Sequence, residues 1–157
     1  MKIDAHTHIL PNSDWPKIDG VKLNFSRIDK DSEQDAEFLA KGFTAKMEWD
    51  DGSLFRRVKD NCYNPESVLL DMDRTNVDVQ CMCTVPVMFN YSIDKTAGAA
   101  WSSFLNDDIS QTVRSHPDRF IGLGTLPMQD PIAAAKEAER AVKDLGLRKN
   151  NFRLIND

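Results

Sequence analysis

Three short, strand-like runs, at residues 2–10, 77–85 and 120–124, alternate with longer helix-patterned segments, and this alternation constrains the fold more than any other feature of the chain. Proline ends two of the runs, Pro11 the first and Pro86 the second. A helix is expected over residues 64–76, with Asn64 as N-cap, Pro65 at the first helical position and Glu66 in the first turn. Its Val68, Leu69, Met72 and Thr75 fall on one stripe. A second helix is expected over residues 94–115, burying Trp101, Phe104, Leu105, Ile109 and Val113. A third, over 131–145, is capped by Asp130 and closed by Gly146. Strand, helix, strand, helix, strand, helix in this order argues for a parallel α/β fold, because a parallel neighbour needs a crossover of about this length.

Between the first strand and the first helix lies an insertion, residues 12–62, whose stretch 12–51 is polar, has no clear repeat and carries the charged run 27–33. We expect a long excursion with short strands and a turn at Lys41-Gly42-Phe43. Asp50-Asp51-Gly52-Ser53 is a strong hairpin signal, so residues 45–49 and 54–58 should pair as antiparallel strands. Arg56 then sits on a rigid ribbon.

The first strand ends in His6-Thr7-His8. Residues two apart on a strand share a face, so both imidazoles can aim at one point. A His-x-His tripeptide is also an ordinary half-buried strand pair. Its place at the C-terminal end of a strand, where parallel α/β folds put their chemistry, favours metal ligation. Imidazole suits zinc and neighbouring transition metals, and a catalytic site usually takes three protein ligands plus an open position. The remaining histidine, His116, precedes Pro117 at an expected helix end and reads as a surface or capping group.

Composition narrows the function classes. Hydrophobic residues make up 41% and charged residues 29%, and a net charge of −5 is spread without a basic patch, which argues against nucleic-acid binding. No apolar run approaches the roughly 18 residues of a membrane span, and the opening does not resemble a signal peptide, so a cytosolic location is expected. Cys81 and Cys83 are expected to pack as small apolar groups in a buried strand.

The His-x-His opening resembles the start of the amidohydrolase superfamily, whose (β/α)8 barrels place such a pair at the end of strand 1. Three further stretches narrow the resemblance: Phe55-Arg56-Arg57-Val58-Lys59-Asp60-Asn61-Cys62, Thr84-Val85-Pro86-Val87-Met88-Phe89-Asn90-Tyr91, and Arg119-Phe120-Ile121-Gly122-Leu123-Gly124-Thr125-Leu126-Pro127-Met128-Gln129. Together they are similar to the 2-amino-3-carboxymuconate-6-semialdehyde decarboxylase family of metal-dependent decarboxylases. A hydrolase of the same superfamily fits His6 and His8 equally well, but residues 84–91 and 122–129 favour the decarboxylases.

The resemblance implies the N-terminal portion of a TIM-type (β/α)8 barrel, about three β/α units over residues 1–146, with the insertion 12–62 after strand 1. It implies zinc-dependent, non-oxidative decarboxylation of a small dicarboxylate in tryptophan catabolism by the kynurenine route, with zinc held by His6 and His8. It also implies that Arg56, in Gly52-Ser53-Leu54-Phe55-Arg56, binds a substrate carboxylate through its planar fork. Trp49, Met88, Phe89 and Tyr91 are candidate pocket walls around a flat conjugated substrate, although such clusters are also ordinary core. The family's further ligands and proton-moving histidine match no position here, so no catalytic residue is assigned and the zinc site is expected to be incomplete. A (β/α)8 barrel takes about 250 residues and this chain has 157. Residues 147–157, with three cations and three asparagines, do not read as a buried parallel strand. We therefore expect a truncated decarboxylase, inactive alone, with a homo-oligomer or a full-length subunit as protein partner; the alternative is a non-catalytic short form that associates with or competes against full-length subunits.

Overall fold

The structure is a computed structural model that describes residues 1–33 and 35–147 together with the backbone of 149–150. Strand β1 (Ile3–Ile9) pairs in parallel with β5 (Val79–Thr84), which pairs in parallel with β6 (Phe120–Gly124), so the three apolar runs become adjacent strands of one sheet. The crossovers carry α2 (Pro65–Thr75) and α3 (Lys95–Ser115), and α4 (Pro131–Lys143) follows β6. This is the expected parallel α/β order, three β/α units of a TIM-type barrel.

Local chemistry sets the helix ends. The Asn64 side chain accepts from Glu66 N–H, Asp94 from Thr96 N–H, and Asp130 from the N–H groups of Ile132 and Ala133. Asn76 closes α2 in the left-handed conformation, with φ 53°. Ile9, Met72, Met82, Ile109 and Phe120 form the main core between the sheet and its helices. α3 lies very close to β6. A Cβ on Gly122 would stand 2.8 Å from Ile109 Cγ2 and 2.5 Å from Leu147 Cδ2, so this strand position holds nothing larger than hydrogen without movement.

The insertion is more ordered than its polar sequence suggests. The hairpin of β3 (Ala45–Trp49) and β4 (Leu54–Val58) forms as expected, with Gly52 at φ +81° in its turn. A third strand, β2 (Leu23–Arg27), adds to β3 in antiparallel register, and a short helix, α1 (Ala36–Ala40), connects them. Leu23, Ala45, Met47 and Val58 bury one face of this ribbon in a second core with Leu10, Met88, Trp101 and Leu105. The insertion is thereby fastened across the C-terminal end of β1, where Leu10 N–H donates to the Cys62 carbonyl at 2.9 Å.

The tail departs from expectation where it is described. Leu147 is fully buried in the main core, and Lys149–Asn150 forms a two-residue strand, β7, parallel to β6. Backbone pairing suffices for so short a strand, so the polar side chains do not prevent it. The rest of the expected tail, residues 151–157, and Arg148 lie outside the described residues.

Candidate metal and carboxylate site

His6 and His8 project from the C-terminal half of β1, and their Nε2 atoms stand 3.2 Å apart. Two nitrogens bound to one zinc ion at about 2.0–2.1 Å and a tetrahedral angle lie roughly 3.3 Å apart, so the pair has the spacing of two ligands of one ion. His8 is oriented from behind. Its Nδ1 lies 2.9 Å from the Thr84 carbonyl, which can only accept, so the proton resides on Nδ1 and Nε2 offers its lone pair. That carbonyl reaches His8 because β1 and β5 are in parallel register, with His8 opposite Cys83 and Ile9 opposite Thr84. Both histidines are exposed, since β1 is the edge strand of the described sheet.

Cys83 joins this cluster, which the sequence did not indicate. The thiol is buried and donates to the Thr7 carbonyl at 3.2 Å, and its sulfur lies 3.3 Å from His8 Nδ1. Its ligand atom and those of His6 and His8 lie within 4.8 Å of one another. Only the cross-strand register could have revealed it. Cys81 is half-buried, and its carbonyl accepts from the Thr7 hydroxyl.

A cavity of about 550 Å³ opens beside His8. Arg56 lines it, so the structure brings the expected carboxylate binder and one expected metal ligand to one space. Its walls include Leu10, Phe43, Met47 and Phe55, together with Val85, Pro86 and Val87 from the loop after β5. Lys59, Asn61 and Cys62 complete one side. The expected walls must be corrected. A 3₁₀ turn over Pro86–Met88 aims Val85–Val87 at the cavity and turns Met88 into the core, where its carbonyl accepts from Trp101 Nε1 at 2.6 Å. Phe89 is buried and stacks on Tyr91 with ring centroids 5.4 Å apart, and neither lines the cavity. Burial raises the Tyr91 hydroxyl pKa above its ordinary value. Trp49 packs edge-on against Phe55 at 5.3 Å and does not line the cavity.

His116 is remote from this site. It caps α3, and its Nε2 lies 3.2 Å from a Glu66 carboxylate oxygen on α2, consistent with a surface capping group.

Two curated relatives are named 2-amino-3-carboxymuconate-6-semialdehyde decarboxylase. The chain is 37% identical to the one from Dictyostelium discoideum over 147 residues, covering 94% of this chain and 38% of that protein. It is 38% identical to the one from Caenorhabditis elegans over 149 residues, covering 94% and 33%. The chain therefore spans about a third of the length of these relatives. Among solved structures, it is similar to 5-carboxyvanillate decarboxylase from Novosphingobium aromaticivorans, complexed with manganese and 4-hydroxy-3-methoxy-5-nitrobenzoic acid. That match has a TM-score of 0.55 and 27% identity, over 58% of this chain and 26% of the other. The amidohydrolase family model matches residues 3–154, nearly all of the sequence, including the His6–His8 pair and the strands that carry it. With paired histidines at the end of a first barrel strand and a sequence match running through all three β/α units, the chain belongs to the amidohydrolase family.

Proposed function

We propose that this chain carries the metal-gripping and carboxylate-binding part of a zinc-dependent decarboxylase acting on 2-amino-3-carboxymuconate 6-semialdehyde, yielding 2-aminomuconate 6-semialdehyde in the kynurenine branch of tryptophan catabolism. Such a reaction diverts flux from quinolinate and NAD synthesis. The observation that carries the proposal is the shared cavity: His8, whose Nε2 is paired with that of His6, and Arg56 border one space of about 550 Å³. Arg56 meets a substrate carboxylate through two parallel hydrogen bonds and fixes the orientation of the acid. Leu10, Met47 and Val87 exclude water from the conjugated body of the substrate. His6 and His8 hold the metal, zinc in this reading. When bound, such an ion supplies Lewis acidity and a water of lowered pKa. Decarboxylation breaks a carbon–carbon bond, releases carbon dioxide and returns one proton to carbon. Among the described residues, the cavity presents no carboxylic acid and no histidine besides His8 to deliver that proton. In this reading the proton donor and the remaining ligands come from later strands of a complete barrel.

The relatives named decarboxylases over 94% of this chain support the carboxy-lyase reading, and the manganese in the structural neighbour supports a divalent metal. Among the described residues no helix is long and apolar enough to cross a membrane; the cytosolic location expected from the sequence stays part of this proposal. For the domain layout we propose an N-terminal barrel portion over residues 1–146 with an insertion over 12–62, whose core and sheet also take in Leu147 and the backbone of Lys149–Asn150.

One observation favours a second reading, a non-catalytic short form that associates with full-length subunits. Among the described residues, strand β1 has a partner on one edge only, and Ile3 on that strand is 47% exposed, whereas a closed barrel leaves no strand edge free. Carbon dioxide release from the semialdehyde, measured over the chain alone and mixed with the Dictyostelium decarboxylase, separates the two. The decarboxylase-portion reading predicts no turnover by the chain alone and no effect on the full-length enzyme. Co-elution with altered turnover supports the short-form reading, and turnover by the chain alone overturns the claim that its site is incomplete.

A further inference from the structure

The two histidines of β1 stand at an interruption of the β1–β5 ladder. The register shifts between Asp4 and Thr7, so Ala5 and His6 fall in the gap and regular pairing resumes only at Thr7. A metal pair needs its ligands held to within about 0.5 Å, which an interrupted ladder does not supply. Side chains tie this stretch down instead. The Thr7 hydroxyl donates to the Cys81 carbonyl at 3.1 Å, and the Cys83 thiol donates to the Thr7 carbonyl at 3.2 Å. Both ties hold Thr7, the residue between the two histidines.

Cys83 also reaches a ligand ring directly. Its sulfur lies 3.3 Å from His8 Nδ1, and with S–H directed at the Thr7 carbonyl the sulfur lone pairs are left to accept. The Nδ1–H of His8 thus meets two acceptors, this sulfur and the Thr84 carbonyl at 2.9 Å. The last torsion of a histidine is broad, so a single acceptor leaves the ring able to swing, whereas two define its plane. A plane fixed at Nδ1 fixes the direction of the Nε2 lone pair, and that atom stands 3.2 Å from His6 Nε2. The contact follows from the fold, because His8 and Cys83 are partners in the parallel register. Cys83 is buried while His8 is exposed, so sulfur hydrogen bonds that are weak in water form here away from it.

We propose that Cys83 is a positioning residue of the metal pair, whose thiol fixes both the His8 ring and the backbone between the two ligands and so sets how tightly this chain holds a divalent ion. The inference rests on the reading of His6 and His8 as metal ligands and adds the residue that aims them.

The test is the zinc affinity of the purified chain and its Cys83 variants, measured by competition with a chromophoric chelator. Cys83→Ala and Cys83→Val both remove the two bonds, one leaving a void and the other filling it, and each should weaken zinc binding about tenfold or more. Cys83→Ser keeps a donor and an acceptor and should stay within about threefold of wild type, a rescue that a packing role would not give. Wild-type affinity in the folded alanine and valine variants overturns the proposal. An infrared measurement decides the matter if those variants do not fold. In a Cys62→Ser/Cys81→Ser background the S–H stretch belongs to Cys83 alone. It should persist and shift when zinc is added, because a cation on Nε2 makes Nδ1–H a stronger donor to the sulfur. A lost band would make the thiol a metal ligand, an unshifted band would mean that it does not touch the His8 ring, and either overturns the proposal. Absence of zinc binding by wild type overturns the metal reading of His6 and His8 and this inference with it.

Discussion

Replacing Asn106 with alanine should destabilise the protein by about 3–5 kcal/mol, more than most single substitutions, because this side chain serves three buried partners at once. Asn106 on α3 is fully buried. Its amide nitrogen donates to the Thr125 carbonyl at 2.9 Å and to Glu137 Oε1 at 2.6 Å, and its oxygen accepts from Thr125 N–H at 2.7 Å. Alanine would strand the donor and the acceptor of Thr125, which is itself buried, at about 1–3 kcal/mol each. Glu137 would suffer less, since Arg140 still donates to it at 2.8 and 2.9 Å. At about 2–4 °C per kcal/mol for a chain of this size, the melting temperature should fall by roughly 10 °C. Urea titration followed by circular dichroism measures the loss, with the m-value unchanged if the native state is otherwise intact. Asn106→Asp sharpens the test. It keeps an acceptor for Thr125 N–H but sets a buried carboxylate against Glu137, so it too should destabilise the protein. An Asn106→Ala protein within about 1 kcal/mol of wild type would refute the claim that this network fastens α3 and α4 to the end of β6.

Asp108 on α3 accepts from the Ser13 hydroxyl at 2.9 Å, and burial raises its carboxyl pKa above the ordinary 3.8 by more than those bonds lower it. The unfolded chain therefore ionises first, so Asp108 costs no stability below about 3.8, increasingly more as pH rises toward its folded value, and a constant amount above it. Asp108→Asn, which keeps the acceptor, should exceed wild type in urea midpoint at about pH 7 and match it at about pH 3, and the opposite trend would contradict the burial argument. Gly122→Ala places a methyl carbon 2.5 Å from Leu147 Cδ2 and should cost about 1–3 kcal/mol through overpacking, read by thermal melting. No loss there would mean that α3 and Leu147 do not approach β6 as closely as described.

Features set by local chemistry were legible in the sequence. Asn64, Asp94 and Asp130 cap helices through hydrogen bonds spanning two or three residues, and the Asp50-Asp51-Gly52-Ser53 turn dictates the β3–β4 hairpin, so each could be read from neighbours in the chain. The addition of β2 was not legible, since it pairs Leu23 with Trp49 across a long polar stretch with no turn to fix the register. The candidate site divides in the same way. His6 and His8 share a strand face, so their convergence follows from a period of two. Cys83 reaches them only through the β1–β5 register. Within residues 84–91 the 3₁₀ turn decides which side chains face the cavity. It presents Val85, Pro86 and Val87 and sends Met88 into the core, where sequence alone had favoured the larger side chains. Lys149–Asn150 pairs with β6 through its backbone, which side-chain polarity does not report.

Zinc binding by the purified chain, titrated against a chromophoric chelator beside an otherwise identical His6→Ala/His8→Ala variant, addresses the metal centre directly. Two imidazoles spaced for one ion, with the nearby Cys83 thiol buried and donating to the Thr7 carbonyl, should bind a single zinc ion weakly, and the double variant should lose it. Equal zinc binding by both proteins would mean that the His6–His8 pair is an ordinary strand feature and that the metal centre lies elsewhere.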